Sequence, residues 1–260
     1  MEVDSYENGI PSWVDLGVGD PKKAAQFYGQ LFGWDVQEGP PEAGGYALAR
    51  LRGRTVAGLG PQQNPGPPVW TTYVNVDSAD DTAAKVRANG GMVFMEPFDV
   101  MDVGRMAVIA DPTGAVLGLW QPKTHKGAGI VSETGAYTWS ELLTSDMAGA
   151  TKFYAAVFGW DADNHPGTDG PGGDYTEWKL GGKPLGGMMA RPPQMPTEVP
   201  NHWNVYFAVD DTDKAVEHVK GLGGNVIQEP MDVEPGRFAI LSDDQGATFS
   251  VITLKERMGA

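Results

Sequence analysis

The chain carries nearly the same message twice, and this limits what it can fold into more than any other feature. Phe27-Tyr28-Gly29-Gln30-Leu31-Phe32-Gly33-Trp34-Asp35 returns at an offset of 126 residues as Phe153-Tyr154-Ala155-Ala156-Val157-Phe158-Gly159-Trp160-Asp161. The same offset places Trp13-Val14-Asp15-Leu16 on Trp139-Ser140-Glu141-Leu142 and Asp20 on Asp146. Trp70 to Asp77 matches Trp203 to Asp210, Glu96-Pro97 matches Glu229-Pro230, and Gly104-Arg105 matches Gly236-Arg237. A unit this long exceeds the ~20–50 residues of a solenoid repeat and reads as a duplicated domain. Any site built by one half could be built by the other, so differences between the halves point to function.

The 260 residues suffice for two domains with cores of their own. There is no cysteine, which removes disulfides, thiolate metal sites and thiol nucleophiles. A net charge of −15 argues against nucleic acid and anionic membranes as partners, because both require clustered Lys and Arg. The first residues form neither a basic region nor an apolar run, and no stretch reaches the ~18 apolar residues of a membrane span. A soluble, cytoplasmic protein is expected.

Each half reads as two strand–helix–strands units. Trp13 to Val18 alternates as a strand, and Asp20-Pro21 offers an N-cap with proline at the first helical position. Ala24, Ala25, Tyr28, Leu31 and Phe32 form the helical stripe, which Gly33 ends. Tyr46 to Leu51 and Thr55 to Leu59 read as a hairpin. Thr71 to Val76 is a strand, Ala79 to Ala88 a helix, and Met92 to Met95, Arg105 to Ala110 and Ala115 to Trp120 are strands. Asp111-Pro112-Thr113-Gly114 turns between the last two, as Asp243-Asp244-Gln245-Gly246 does in the second half. Gly-rich Asp163 to Gly173 is predicted to be a flexible loop. The expected domains are 8–122 and 135–255, joined by a linker over 123–134.

A strand ending in Asp, a helix ending Phe-Tyr-x-x-x-Phe-Gly-Trp and an Asp-Pro-x-Gly turn before a last strand together resemble the vicinal oxygen chelate superfamily. That group includes glyoxalase I, bleomycin-resistance proteins, fosfomycin-resistance enzymes and extradiol dioxygenases. The resemblance covers nearly the whole chain, and extends to two-domain actinobacterial members commonly labelled glyoxalases or hydroxylases. It implies an α+β fold: four βαβββ modules forming two open, curved eight-stranded sheets with helices on their convex faces.

In catalytic members the concave face holds a divalent metal on His and Glu. The positions that the resemblance assigns to those ligands are Trp13 and Trp139 on the first strand, Thr71 and Asn204 on the second, and Gly118 and Ser250 on the last. The remaining ligand position falls within Val56 to Leu59 or Leu185 to Met188. None of these residues is a customary ligand of such metals. His125, His165, His202 and His218 include no i, i+4 pair. No metal and no other cofactor is therefore expected.

Strand alternation then sorts the concave faces. The first would hold Trp13, Asp15, Thr71, Tyr73 and Trp120; the second, Trp139, Glu141, Asn204, Tyr206 and Ser250. Aromatic walls with a few polar groups suit a flat organic molecule, and an acid beside a phenol suits proton transfer. Asp15 or Glu141 would be the base and Tyr73 or Tyr206 the proton donor; the tryptophans, Thr71, Asn204 and Ser250 would line the ligand. The same aromatics could equally be core filling. The expected function is metal-independent binding of a small planar molecule, by sequestration or with acid–base catalysis, and the second face is the favoured one. The alternative is a metal-dependent glyoxalase-like lyase or oxygenase. A homodimer is compatible with all of this.

Overall fold

The protein is seen in a computed structural model that describes residues 1–63, 65–170, 173–193, 195, 196 and 198–255, with backbone alone at 167–170 and 173. The first half contains β1 (Pro11–Val18), α1 (Pro21–Phe32), β2 (Asp35–Glu38), β3 (Ala47–Leu51), β4 (Arg54–Pro61), β5 (Val69–Asn75), α2 (Ala79–Ala88), β6 (Met92–Val100), β7 (Gly104–Ala110) and β8 (Val116–Pro122). The second repeats the order with β9 (Tyr137–Thr144), α3 (Met147–Phe158), β10 (Asp161–Gly170), β11 (Gly173–Leu180), β12 (Lys183–Ala190), β13 (His202–Ala208), α4 (Thr212–Gly221), β14 (Asn225–Val233), β15 (Gly236–Ser242) and β16 (Thr248–Leu254). The strands form two eight-stranded sheets, β2-β3-β4-β1-β5-β8-β7-β6 and β10-β11-β12-β9-β13-β16-β15-β14. Both are open and mixed: β1 runs parallel to β4 and antiparallel to β5, and β9 does the same with β12 and β13. This is the duplicated α+β architecture that the repeat predicts.

Local signals set the helix ends. Asp20 accepts hydrogen bonds from the amides of Lys22 and Lys23, Pro21 opens α1, and Gly33 closes it in the left-handed region at φ 72°. Asp146, Ser78 and Asp211 cap the other three helices. The stretch predicted to be a loop over Asp163 to Gly173 is instead mostly strand: Asp161 to His165 pair antiparallel with Tyr175 to Lys179. Residues 171 and 172 lie outside the described ones. Its polar, Gly-rich composition argued for a loop, but the ladder to β11 satisfies its backbone.

The two large cores each draw on both halves. One joins Val14, Leu16, Phe27, Tyr28 and Phe32 to Val205, Phe207, Phe249 and Val251; the other joins Val74, Leu117 and Leu119 to Phe153, Tyr154, Phe158 and Trp160. The Phe-Tyr motif of each first helix thus packs against the opposite half. Tyr28 donates to Asp243 at 3.0 Å and accepts from Trp70 Nε1 at 3.0 Å; Tyr154 donates to Asp111 at 3.1 Å and accepts from Trp203 Nε1 at 3.0 Å. These aspartates also hold their own turns, Asp111 through the amides of Thr113 and Ala115, Asp243 through those of Gln245 and Ala247. Burial raises both phenols well above their ordinary pKa, and the facing carboxylates add to the shift. They are neutral donors satisfying a buried acid, which would be costly if left alone. Arg105 pairs with Asp80 (2.8 Å) and Asp99 (3.6 Å), and Arg237 with Asp213 (2.8 Å) and Asp232 (3.3 Å).

Candidate functional site

Alternation along β1 and β9 sends Val14, Leu16 and Leu142 into the shared cores. Their neighbours Trp13, Asp15, Trp139 and Glu141 therefore face the concave side, away from the helices. In register, Asp15 lies between Gly58 of β4 and Thr71 of β5, and Glu141 between Gly187 of β12 and Asn204 of β13. Trp13 faces Tyr73, and Trp139 faces Tyr206. Each sheet thus brings its predicted acid, phenol and indole together at its centre.

Two tyrosines absent from the predicted site complete it. Tyr46, at the entry to β3, donates to Asp15 at 3.1 Å and accepts from Trp13 Nε1 at 3.1 Å. Tyr73 sits close enough to the same carboxylate to lower its pKa. In the second half, Trp139 Nε1 donates to Tyr175 at 3.0 Å, and Tyr206 donates to Glu141 at 3.0 Å. Tyr175 also sits close enough to Glu141 to lower its pKa. The constellation is therefore indole, phenol, carboxylate, phenol in both halves. Glycine makes room for it. A Cβ on Gly58 would lie 1.8 Å from the Tyr46 hydroxyl, and one on Gly187 would lie 1.8 Å from the Tyr175 hydroxyl. The sequence did hold a signal: Tyr46 and Tyr175 both stand five residues before a leucine and seven before a turn glycine, Leu51 and Gly53 or Leu180 and Gly182.

The electrostatics follow from burial. Desolvation pushes Asp15 and Glu141 each up to about 7, although two phenol donors pull the other way in each case. Desolvation, reinforced by the adjacent carboxylate, drives Tyr46, Tyr73, Tyr175 and Tyr206 well above the usual phenol value. Each acid is thus balanced between its forms near neutrality, and each phenol keeps its proton.

The remaining predicted residues separate the halves. Asn204 donates to Ser250 Oγ at 2.7 Å, and both are buried beside Tyr206 and Glu141. In the first half the corresponding positions are Thr71, which is half-buried, and Gly118, which carries no side chain and lies under the Tyr73 ring. Trp120 does not line an open face. It packs with Trp13, Tyr73 and Ala128, and its Nε1 donates to the carbonyl of His125 at 2.9 Å. Ala128 and His125 belong to the linker, which folds back over the first concave face.

Divalent metal in relatives calls for converging His and carboxylate ligands. Here each centre offers one carboxylate, hydrogen-bonded by one protonated phenol with a second beside it, and the flanking positions are Trp, Thr, Asn, Ser or Gly. That donor set does not fit such an ion. Among the described residues, His, Asp and Glu converge only at Asp163, His165 and Glu177 on the β10–β11 hairpin, where Lys179 already bridges both acids.

Comparison with known proteins agrees with this frame. The sequence model of the Glyoxalase/Bleomycin resistance protein/Dioxygenase superfamily matches residues 10–119 and 136–251. The chain is 46% identical over 256 residues, 95% of each chain, to a Mycobacterium tuberculosis protein named "Putative glyoxylase CFP32". It is 38% identical over 267 residues, 96% of this chain and 95% of the other, to the anthracycline biosynthesis protein DnrV of Streptomyces peucetius. Among solved structures, the Mn(II)-bound glyoxalase of Novosphingobium aromaticivorans superposes with a TM-score of 0.65 at 16% identity, over 96% of this chain and 83% of that one. The 2,3-dioxygenase LapB of Pseudomonas sp. KL28 gives 0.66 at 15% identity, over 95% and 93%. At such identities these structures speak for the fold. Among the described residues, no helix is long and apolar enough to cross a membrane.

Proposed function

Since the chain belongs to the Glyoxalase/Bleomycin resistance protein/Dioxygenase superfamily, whose fold does not dictate one reaction, we propose a function from its own concave faces: metal-independent binding of a flat aromatic small molecule, with proton transfer at Glu141. The observation that carries this reading is the carboxylate held between two phenols beside an indole. A ligand ring packs against Trp139. Its polar edge meets Tyr175, Tyr206 and Glu141, with Asn204 and Ser250 bounding the far side. Asp15 and Tyr73 are the first half's counterparts.

The chemistry available is a proton exchange. Glu141, poised near neutrality, takes a proton from an acidic ligand hydroxyl or activated carbon, and a tyrosine hydroxyl donates to the oxygen where charge builds. The name of the DnrV relative supports an aromatic ligand, because an anthracycline is a flat polycyclic compound.

The test uses protein stripped with chelator and then offered Mn(II), Fe(II), Ni(II) and Zn(II). We expect retention well below one equivalent, and equal binding of polycyclic phenols by stripped and metal-treated protein. One tightly held ion per chain, whose removal abolishes binding or turnover, would overturn the reading in favour of lyase or oxygenase chemistry. Glu141→Gln separates binding from catalysis: turnover lost with affinity kept assigns the base role.

A further inference from the structure

The first concave face already contains a ring, and the chain supplies it. The His125 imidazole sits between two indoles, 4.4 Å from the Trp13 ring at 84° and 5.5 Å from Trp120 at 70°. Its backbone is fixed from both sides: its amide donates to Val103 at 3.0 Å, and its carbonyl accepts from Trp120. The linker continues across the face. Ala128 donates to Ser12 at 2.8 Å and accepts from the Tyr6 hydroxyl at 2.6 Å, and Gly129 donates to Thr55 at 2.7 Å. Gly127 makes the close approach possible. Its φ is 116°, and a Cβ there would meet the Ser12 carbonyl at 2.5 Å. His125 Nε2 is buried without a hydrogen-bond partner. The ring is therefore held by aromatic contact rather than by a polar bond at that atom.

Among the described residues, the second face has the same indole without the ring. Trp13 is only 3% exposed, whereas Trp139 is half-buried, and among the described residues no aromatic ring seats on it. Trp139 packs against a cluster that comes from the sheet itself, Tyr206, Phe238 and Ile252. Ile252 stands where the first half has Trp120, so the indole that flanks the His125 ring and holds its carbonyl has no counterpart there.

We propose that His125 is the permanent occupant of the first face, and that the counterpart over Trp139, open among the described residues, takes a flat hydroxylated aromatic ring at right angles to the indole, so that each chain binds one such ligand. This rests on the reading that the concave faces hold flat molecules, and it adds where, in what orientation and how many. The ring stands across the indole, as the imidazole does against Trp13 at 84°. A ring hydroxyl then reaches the Tyr175–Glu141 pair that Trp139 Nε1 orients.

Isothermal titration with alizarin, a coloured dihydroxyanthraquinone, tests the count. We expect one alizarin per wild-type chain, about tenfold weaker binding in Trp139→Ala from loss of the ring contact, and little change in Trp13→Ala. Gly127→Ala and His125→Ala, two independent ways to unseat the linker, should each raise the count to two. Two ligands per wild-type chain, or one that depends on Trp13 and not on Trp139, would overturn the proposal. A ligand-free readout tests the plug by itself. His125 ring signals in NMR should stay those of a buried neutral imidazole down to about pH 5, since burial and the neighbouring Arg50 both oppose its charging. Titration near 6.5, as for an open imidazole, means that the ring is not seated and sinks the proposal whatever alizarin does. With His125 seated but no alizarin bound by any form, the ligand-binding reading itself falls, and the proposed site with it.

Discussion

The two concave faces share one chemical core and differ in what covers it. In the first, Asp15 is half-buried beside a half-buried Thr71, the Tyr73 ring lies over Gly118, and the aromatic end is sealed by His125 and Ala128. In the second, Glu141 is 8% exposed under the Asn204–Ser250 pair, while the aromatic end at Trp139 is open among the described residues. The indole–phenol–carboxylate–phenol chain survives in both. The duplication thus kept the groups that hold an acid near neutrality and varied access to them. The convex side did the opposite. There the Tyr28–Asp243 and Tyr154–Asp111 bonds are near copies, because each half needs the other to close its core.

That contrast can be broken at several points, and the convex side gives the largest effects. Asp111→Ala and Asp243→Ala each strand a buried tyrosine hydroxyl and two turn amides. Each should cost about 3 kcal/mol or more in denaturant unfolding, and the two costs should agree within about 1 kcal/mol. A large inequality would show that the halves are not equivalent even where the geometry repeats.

The acids come next, through pH. Glu141 ionises near 7 in the folded chain, against about 4.3 for a free glutamate. The folded state therefore holds a proton that the unfolded chain has released. The stabilisation linked to that proton is complete below about pH 4 and is lost as pH rises to about 7. Glu141→Gln removes the dependence. Its stability relative to wild type should rise by on the order of 2–3 kcal/mol between pH 4 and pH 8, followed by unfolding midpoints. Asp15→Asn should show the same sign with a swing at least as large, because Asp15 reaches the same value of about 7 from a lower free one. A much smaller swing for Asp15 would mean that solvent screens its less covered carboxylate.

Overpacking tests the tyrosines. Gly58→Ala and Gly187→Ala put a methyl where the Tyr46 and Tyr175 hydroxyls lie. Each should cost about 1–3 kcal/mol. Gly58→Ala should cost more, because Tyr46 also lies against Gly60, where a Cβ would approach its ring to 2.8 Å. The unfolding midpoints of the two variants, read side by side, check this order.

Much of this was legible because the repeat says it twice. The strands, the four helices, the Asp20-Pro21 start and the Asp-turns follow from period, caps and turn chemistry, which are local properties. Asp15, Tyr73, Glu141 and Tyr206 could be placed on one face because strand alternation carries over from β1 and β9 to their paired neighbours. Tyr46 and Tyr175 escaped because they begin outer strands and reach the acids only over Gly58 and Gly187, a match that depends on register across three strands. Trp120 was assigned to an open pocket because nothing local tells a linker to fold back. That path depends on bonds to Val103, Ser12, Thr55 and Tyr6, all distant in sequence. Asp163 to Gly173 was misread for the same reason, since its strand character comes from β11 and not from its own composition.

The smallest expected effect is the sharpest test of what the cover does. Ser250→Gly gives the second half the residue that the first has at Gly118, and removes the acceptor of the Asn204 amide. Loss of one buried hydrogen bond should cost about 1 kcal/mol. It should also let water reach Glu141. Solvent would then favour its charged form, and its pKa, read from the carboxyl carbon shift in NMR, should move down from about 7 while that of Asp15 stays where it is. A Glu141 that keeps its value after Ser250 is gone would show that the Tyr175 and Tyr206 rings shut out water by themselves. The Asn204–Ser250 pair would then have no part in setting the acid, and the two faces would differ only at their aromatic ends.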